Sequence, residues 1–266
     1  MRDYLAVAVE AARLGGDILR EHYRRVKTVE FKGEADLVTE VDRRSEKEIV
    51  DLLASRFPHH SILAEEGTAT EKSSEFKWVI DPLDGTTNYA HGYPVFCTSV
   101  ALEQNEDILV GAVYQPMTDE LFVAERGGGA FRNGRRIGVS GVEELQRALL
   151  ATGFPPQVRQ SPEEALGHFA AFVRQAQSIR RDGSAALNLC CVASGLFDGF
   201  WETCLKPWDT AAGLLVVREA GGLVSRFSGR DYSIYQPQTL ATNGLIHEQM
   251  QQVLGKTEQV HVERGE

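Results

Sequence analysis

The chain has 266 residues, 42% hydrophobic and 25% charged, the make-up of a globular protein large enough for one sizeable domain or two small ones without disulfide staples. With 28 Lys and Arg against 38 Asp and Glu, the net charge of −10 argues against nucleic acid or an anionic membrane as a main partner, and an anionic ligand would need positive charge from elsewhere. No run approaches the ~18 apolar residues of a membrane span, and Met1 leads straight into an amphipathic segment, so neither a span nor a secretory signal is expected.

The first predicted helix puts Ala8, Ala11, Ala12, Gly15, Ile18 and Leu19 on one face, with small residues that admit a close neighbour. The second does the same with Val41, Ser45, Ile49, Leu52 and Leu53, and Pro58 closes it. Strand-like runs follow at Ser61–Ala64, Phe76–Ile80, Val95–Leu102, Ile108–Tyr114 and Leu121–Ala124. Turn residues at 105–107 and 116–119 make hairpins of the last three, and Asn133-Gly134 signals another turn. Beyond about residue 145, short strands (Leu149–Thr152, Ser178–Arg180, Asp198–Trp201, Gly222–Ser225, Thr239–Thr242) alternate with helical stretches (Glu163–Gln177, Ala185–Ser194, Asp209–Ala220, Ile246–Leu254). The pattern is that of a mixed α/β protein in two packed halves, residues 1–145 and 146–266, forming one unit.

Cys97, Cys190, Cys191 and Cys204 form no C-x-x-C pair and read as buried free thiols of a cytoplasmic protein, not as a zinc site. His59-His60, after Pro58, reads as solvated. Arg126-Gly127-Gly128-Gly129-Ala130 lacks the Lys-Ser/Thr of a P-loop and reads as a turn, while Arg24-Arg25 and Arg180-Arg181 are too short for a nucleic-acid footprint.

The chemistry concentrates in Trp78-Val79-Ile80-Asp81-Pro82-Leu83-Asp84-Gly85-Thr86-Thr87-Asn88. An apolar strand delivers Asp81, Pro82 is expected to stop the ladder, and Asp84 is placed to cap a helix whose first amides, Gly85 to Thr87, would face an anion such as phosphate. Two carboxylates beside a phosphate would repel it unless cations lay between, and oxygen ligands of this kind suit Mg²⁺. Alternatively the segment is a plain surface turn. Glu65-Glu66-Gly67, after Ser61–Ala64, and Asp209 at a helix start are two further acidic element ends.

These motifs, with Ala35-Asp36-Leu37-Val38-Thr39-Glu40-Val41-Asp42 and Glu219-Ala220-Gly221-Gly222, stand in an order that resembles the inositol monophosphatase family of magnesium-dependent, lithium-sensitive phosphatases. The resemblance implies a layered αβαβα sandwich, a homodimer and a phosphorylated polyol as substrate. It implies Glu65, Asp81, the Leu83 carbonyl, Asp84 and Asp209 as ligands of two to three Mg²⁺ ions, with Mn²⁺ able to substitute and Li⁺ inhibitory. Thr86 and Asp42 would orient the attacking water together with Glu65. The substrate would meet Asp84, Gly85, Thr86, Thr87, Gly183, Ser184, Ala185, Glu202 and Asp209, and Lys32 is a candidate loop contact. For Glu202 and Lys32 the alternative is simple solvation, and for 183–185 a strand-to-helix turn. Lys206-Pro207, where some relatives have His-Cys, is a departure beside the pocket that bears on substrate choice.

The rival phosphatase signature, Asp-x-Asp-Gly-Thr of the haloacid dehalogenase type, has one residue fewer between its acids than Asp81-Pro82-Leu83-Asp84. Within the resembling superfamily, histidinol phosphate, fructose 1,6-bisphosphate and 3′-phosphoadenosine 5′-phosphate are alternative substrates. A regulatory protein-binding role is the reading from another class.

Overall fold

The structure, a computed structural model, describes residues 4–25, 29–31, 37–154, 156–159 and 162–264. Lys32 and Ala35-Asp36 lie outside the described residues. The first part of the chain runs α1 (Tyr4–His22), β1 (Val29–Phe31), β2 (Leu37–Thr39), α2 (Glu40–Arg56), β3 (Ser61–Ala64), β4 (Ala69–Thr70), β5 (Phe76–Asp84) and α3 (Thr86–Ala90). A meander follows: β6 (Cys97–Gln104), β7 (Asp107–Gln115), β8 (Glu120–Glu125), β9 (Gly129–Arg132) and β10 (Arg135–Arg136). The remainder is β11 (Leu149–Thr152), α4 (Glu163–Val173), β12 (Ser178–Arg180), α5 (Ala185–Ala193), β13 (Gly199–Thr203), α6 (Pro207–Glu219), β14 (Leu223–Ser225), β15 (Gln238–Thr242) and α7 (His247–Arg264).

Strands β10-β9-β8-β7-β6-β5-β3-β4 form one mixed sheet and β12-β11-β13-β15-β14 a second, with β1-β2 a separate ribbon. Helices α1 and α2 cover one face of the large sheet, burying Ala8, Ala11, Ala12, Ile49 and Leu53 against Trp78, Ile80, Val100 and Tyr114. The approach is close: a methyl group on Gly16 would overlap the Tyr114 ring. Its other face packs on α5 and α6, which also touch Phe200 and Ala241 of the second sheet. The outer face of that sheet, with Leu150, Trp201 and Leu240, is covered by Phe172 of α4 and Met250 and Val253 of α7. The order is therefore helices, sheet, helices, sheet, helices, and the αβαβα expectation holds.

Burial follows from this layering. Residues Cys97 to Glu103 of β6 are all buried, so a central strand covered on both faces shows no period-two alternation. Thr210 to Val217 of α6 are buried all round, as a middle-layer helix requires. Asn133 and Gly134 both take positive φ (48° and 75°) in the tight β9–β10 turn, as their pairing predicts. Among the described residues no helix is long and apolar enough to cross a membrane.

Two surface readings need correction. His60 is buried, its ring stacked between Phe57 and Phe76 at 4.8 Å from each, because the chain after Pro58 turns back under Tyr4 and not into solvent. The cysteines are all free, but Cys204 is exposed in the loop between β13 and α6 and Cys191 is half-buried.

Candidate active site

Strand β3 runs parallel to β5 with Ala64 beside Ile80, so Glu65, the first residue past β3, comes out beside Asp81 of β5. The Glu65 amide donates to the Ile80 carbonyl (3.3 Å), and the Glu65 side chain shares a hydrogen bond with Asp81. Pro82 does not end the strand. The ladder to β6 slips between Asp81 and Asp84 and then resumes at Asp84 opposite Cys97, so Pro82, which has no N–H, sits in the irregularity. The Pro82 carbonyl accepts from Ser45 Oγ (3.3 Å) and Thr98 Oγ1 (3.2 Å), and the Leu83 amide donates to Asp81 Oδ1 (2.9 Å). Asp81, Leu83 and Asp84 are all buried.

Nor does Asp84 cap the helix that follows it. Gly85 is that N-cap, with φ of +99°, and makes no side-chain cap bond. The Asp84 carboxylate turns instead to the start of α5, a hundred residues on. Its Oδ2 accepts from Ser184 Oγ (2.6 Å) and the Ala186 amide (2.7 Å), and its Oδ1 from the Ala185 amide (3.3 Å). A short helix such as α3 has little dipole to offer, but its first amides still precede any carbonyl the helix can supply. Asp209 stands in the first turn of α6, where its Oδ2 accepts from the Lys206 amide (2.7 Å), and Ser99 Oγ donates to the Trp208 carbonyl (3.4 Å), pinning α6 to β6.

The electrostatics tie these acids together. Burial first, then the charges of Glu65, Asp84 and Asp209, push the Asp81 carboxyl well above the usual range. Asp209 is raised well above it by burial and Asp84, against the Lys206 amide bond. Asp84 is raised by burial, while its bonds to Ser184, Ala186 and Ala185 pull the other way. Among the described residues no three His, Cys, Asp or Glu side chains meet as a finished ligand cage. The acids nonetheless lie near enough to raise one another, a repulsion that a bound cation would relieve. An all-oxygen donor set of buried carboxylates beside a strand-end carbonyl fits a hard divalent ion such as Mg²⁺.

Thr86 Oγ1 donates to the Leu83 carbonyl (3.1 Å) and lies 3.4 Å from Asp42 Oδ1, so its single proton is shared between them. Asp42, fully buried at the start of α2, also accepts from the Thr39 amide (3.1 Å) and the Thr39 hydroxyl. Thr87 is exposed on α3. Glu202 is not solvated: it lies buried one residue before the end of β13, with its carboxylate against Gly153, where a methyl group would collide with both oxygens. Burial, then Asp209 and Asp84, push its carboxyl up to about 8, with Arg181 opposing. Gly183, at φ +85°, leads into α5 beside Asn88, whose Nδ2 donates to both the Val95 and Asp182 carbonyls (2.7 Å each). The glycine-rich turn is a turn, its Gly127 and Gly129 amides held by the Glu219 carboxylate (2.8 Å each).

Residue-type reasoning passed over Asn88, which braces α3 against the 182–184 loop, and Glu46 of α2, whose carboxylate bonds the turn carrying Glu65. Glu46 falls among the inward positions of α2, beside Ser45 and one turn after Asp42, and a charged residue there was the available signal.

The inositol monophosphatase family model matches residues 1–261. A fructose-1,6-bisphosphatase/inositol-1-monophosphatase of Aquifex aeolicus is 41% identical over 264 residues, covering 98% of this chain and 99% of the relative. A Nus factor SuhB of Vibrio cholerae is 44% identical over 233 residues, 86% of this chain and 87% of its own. The solved structure of a Thermotoga maritima IMPase superposes with a TM-score of 0.90 at 37% identity, covering 97% of this chain and 98% of that one. Layer order and whole-length similarity agree, and the chain belongs to the inositol monophosphatase family.

Proposed function

We propose that the protein is a magnesium-dependent phosphomonoesterase that releases phosphate from a phosphorylated polyol, inositol 1-phosphate first among them. The observation that carries this reading is that Glu65 after β3, Asp84 of β5 and Asp209 in the first turn of α6 all lie close enough to Asp81 to push its carboxyl up, Glu65 through a side-chain hydrogen bond as well. Glu65, Asp81, the Leu83 carbonyl, Asp84 and Asp209 would hold the ions. Magnesium bound there would lower the pKa of a water and neutralise charge at the departing oxygen.

The chain's own residues supply the rest. Asp42, fixed by Thr39, keeps Thr86 Oγ1 oriented, and that hydroxyl passes the attacking water's proton towards a carboxylate already in hydrogen-bonding geometry. The amides of Gly85, Thr86 and Thr87 receive the phosphate oxygens. Glu202 and the 183–185 backbone take the polyol hydroxyls, and the high pKa of Glu202 lets it donate as well as accept a hydrogen bond near neutral pH. A carboxyl that can donate suits hydroxyls and disfavours a second phosphate less than a fixed anion would.

The test is phosphate release from inositol 1-phosphate, 2-glycerophosphate, fructose 1,6-bisphosphate, histidinol phosphate and 3′-phosphoadenosine 5′-phosphate, each with Mg²⁺, with Mn²⁺, with EDTA, and with Mg²⁺ plus Li⁺. Metal-dependent hydrolysis of inositol 1-phosphate well above the others is the expected result. Preference for another substrate keeps the metal chemistry and moves the substrate. Silence across the panel from folded protein would overturn the reading and favour a regulatory role of the kind named for the Vibrio relative.

A further inference from the structure

Helix α2 turns a strip of polar side chains inward. Asp42, Ser45 and Glu46 are all buried and share one face, being three and four residues apart. Asp42 meets Thr86 and Ser45 meets the Pro82 carbonyl. Glu46, only 3% exposed, meets the backbone of the turn that carries Glu65. Its Oε2 accepts from the Glu66 amide (2.6 Å) and its Oε1 from the Thr68 amide (3.1 Å).

The turn is held elsewhere too. The Ala64 amide donates to the Thr68 carbonyl (3.0 Å) and the Glu65 amide to the Ile80 carbonyl (3.3 Å), one residue before Asp81. Glu65 is thus gripped on one side by β5 and on the other by Glu46. Burying a carboxylate is costly unless it is well hydrogen-bonded, and an apolar side chain would fill this helix face at lower cost. Two charge-assisted bonds to a tight turn fix its dihedrals, and those dihedrals set where the Glu65 side chain points.

We propose that Glu46 is a positioning residue: it fixes the turn so that the Glu65 carboxylate meets Asp81, and thereby sets the cation affinity at that end of the site. This rests on the reading of Glu65 and Asp81 as metal ligands. One helix then aligns both the Thr86–Asp42 pair and the Glu65 turn.

The experiment measures Mn²⁺ binding to the purified full chain from the electron paramagnetic resonance signal of free Mn²⁺, for wild type, Glu46→Gln, Glu46→Asp and Glu65→Gln. Mg²⁺ dependence of hydrolysis and thermal melting in EDTA are recorded in parallel. Glutamine keeps the size of Glu46 but offers one acceptor and turns an NH₂ towards an amide. Glu46→Gln is expected to weaken Mn²⁺ binding and raise the Mg²⁺ requirement about tenfold, the usual scale for an outer partner of a ligand, with substrate KM unchanged and kcat recovered at saturating Mg²⁺. Glu46→Asp, which keeps the charge one methylene shorter, should fall between Gln and wild type, and it carries the test if the Gln variant does not fold in EDTA. Wild-type Mn²⁺ affinity in the folded Glu46 variants, with loss in Glu65→Gln, overturns the role of Glu46 alone. Wild-type affinity in Glu65→Gln overturns the metal-site reading beneath it.

Discussion

Replacing Glu202 with glutamine should change how stability depends on pH, and the size of the change follows from the burial of this side chain. The carboxyl is held at about 8 in the fold against an ordinary 4.5. Below pH 4.5 both folded and unfolded chains keep the proton and burial carries no ionic penalty. Between 4.5 and 8 the unfolded chain releases it while the folded chain retains it, so stability falls as pH rises, by about 1.4 kcal/mol per pH unit. Above about 8 both are ionised and the loss is complete, with a ceiling of about 5 kcal/mol across the window. Glutamine has no proton to lose. Urea denaturation of wild type and Glu202→Gln at pH 5, 6, 7, 8 and 9, in EDTA, should therefore give stability curves that diverge in favour of the variant as pH rises. Excess Mg²⁺ should narrow the divergence from its upper end, since a cation at Asp209 and Asp84 removes the second and third causes of the shift. Parallel curves in EDTA would refute the reasoning and return Glu202 to the status of a wetted surface acid.

Asp84→Asn should abolish hydrolysis, and because one oxygen must replace two acceptors for Ser184, Ala185 and Ala186, it should also lower stability by about 1–3 kcal/mol in urea melts. Normal turnover by the purified variant would sink the site assignment. Gly153→Ala drives a methyl group into the Glu202 carboxylate, so KM for the polyol phosphate should rise about tenfold while kcat stays within about twofold; an unchanged KM would mean that Glu202 does not touch substrate. Gly16→Ala forces overlap with the Tyr114 ring and should cost about 1–3 kcal/mol in a urea melt, whereas Gly141→Ala, with open space at its Cβ, should be near neutral. Equal effects would show that the α1 contact is loose.

Local chemistry made much of the fold readable. The inward faces of α1 and α2, the hairpins of the large sheet and the alternation after residue 145 are period and turn signals, and they reappear at nearly the expected places. Element ends were less legible. Proline at 82 is a reliable ladder-breaker only where strands pair regularly, and here the pairing slips around it. Asp84 has the right residue type to cap α3, yet the donors it satisfies belong to α5, and nothing in the local sequence marks so distant a partner. His60 and Glu46 failed to register for the same reason. Each looks polar in sequence and is buried by a neighbour supplied from elsewhere, Phe76 in one case and the 65–68 turn in the other. Acids at strand and helix ends could be singled out from the sequence because turn and cap residues mark such ends locally. Their gathering into one pocket depends on how the two sheets meet.

The grip of α5 on Asp84 has a practical corollary. Asp84 lies on the first sheet, and three of the groups that hold it, Ser184, Ala185 and Ala186, lie 100 to 102 residues later on the far side of the largely exposed 141–144 stretch, with Asp209 later still. Severed in that stretch, the chain would leave neither fragment with a full set of acids or the means to orient them. Phosphate release from the mixed fragments would then report their reassembly, with a background near zero, making the fold a natural two-piece sensor.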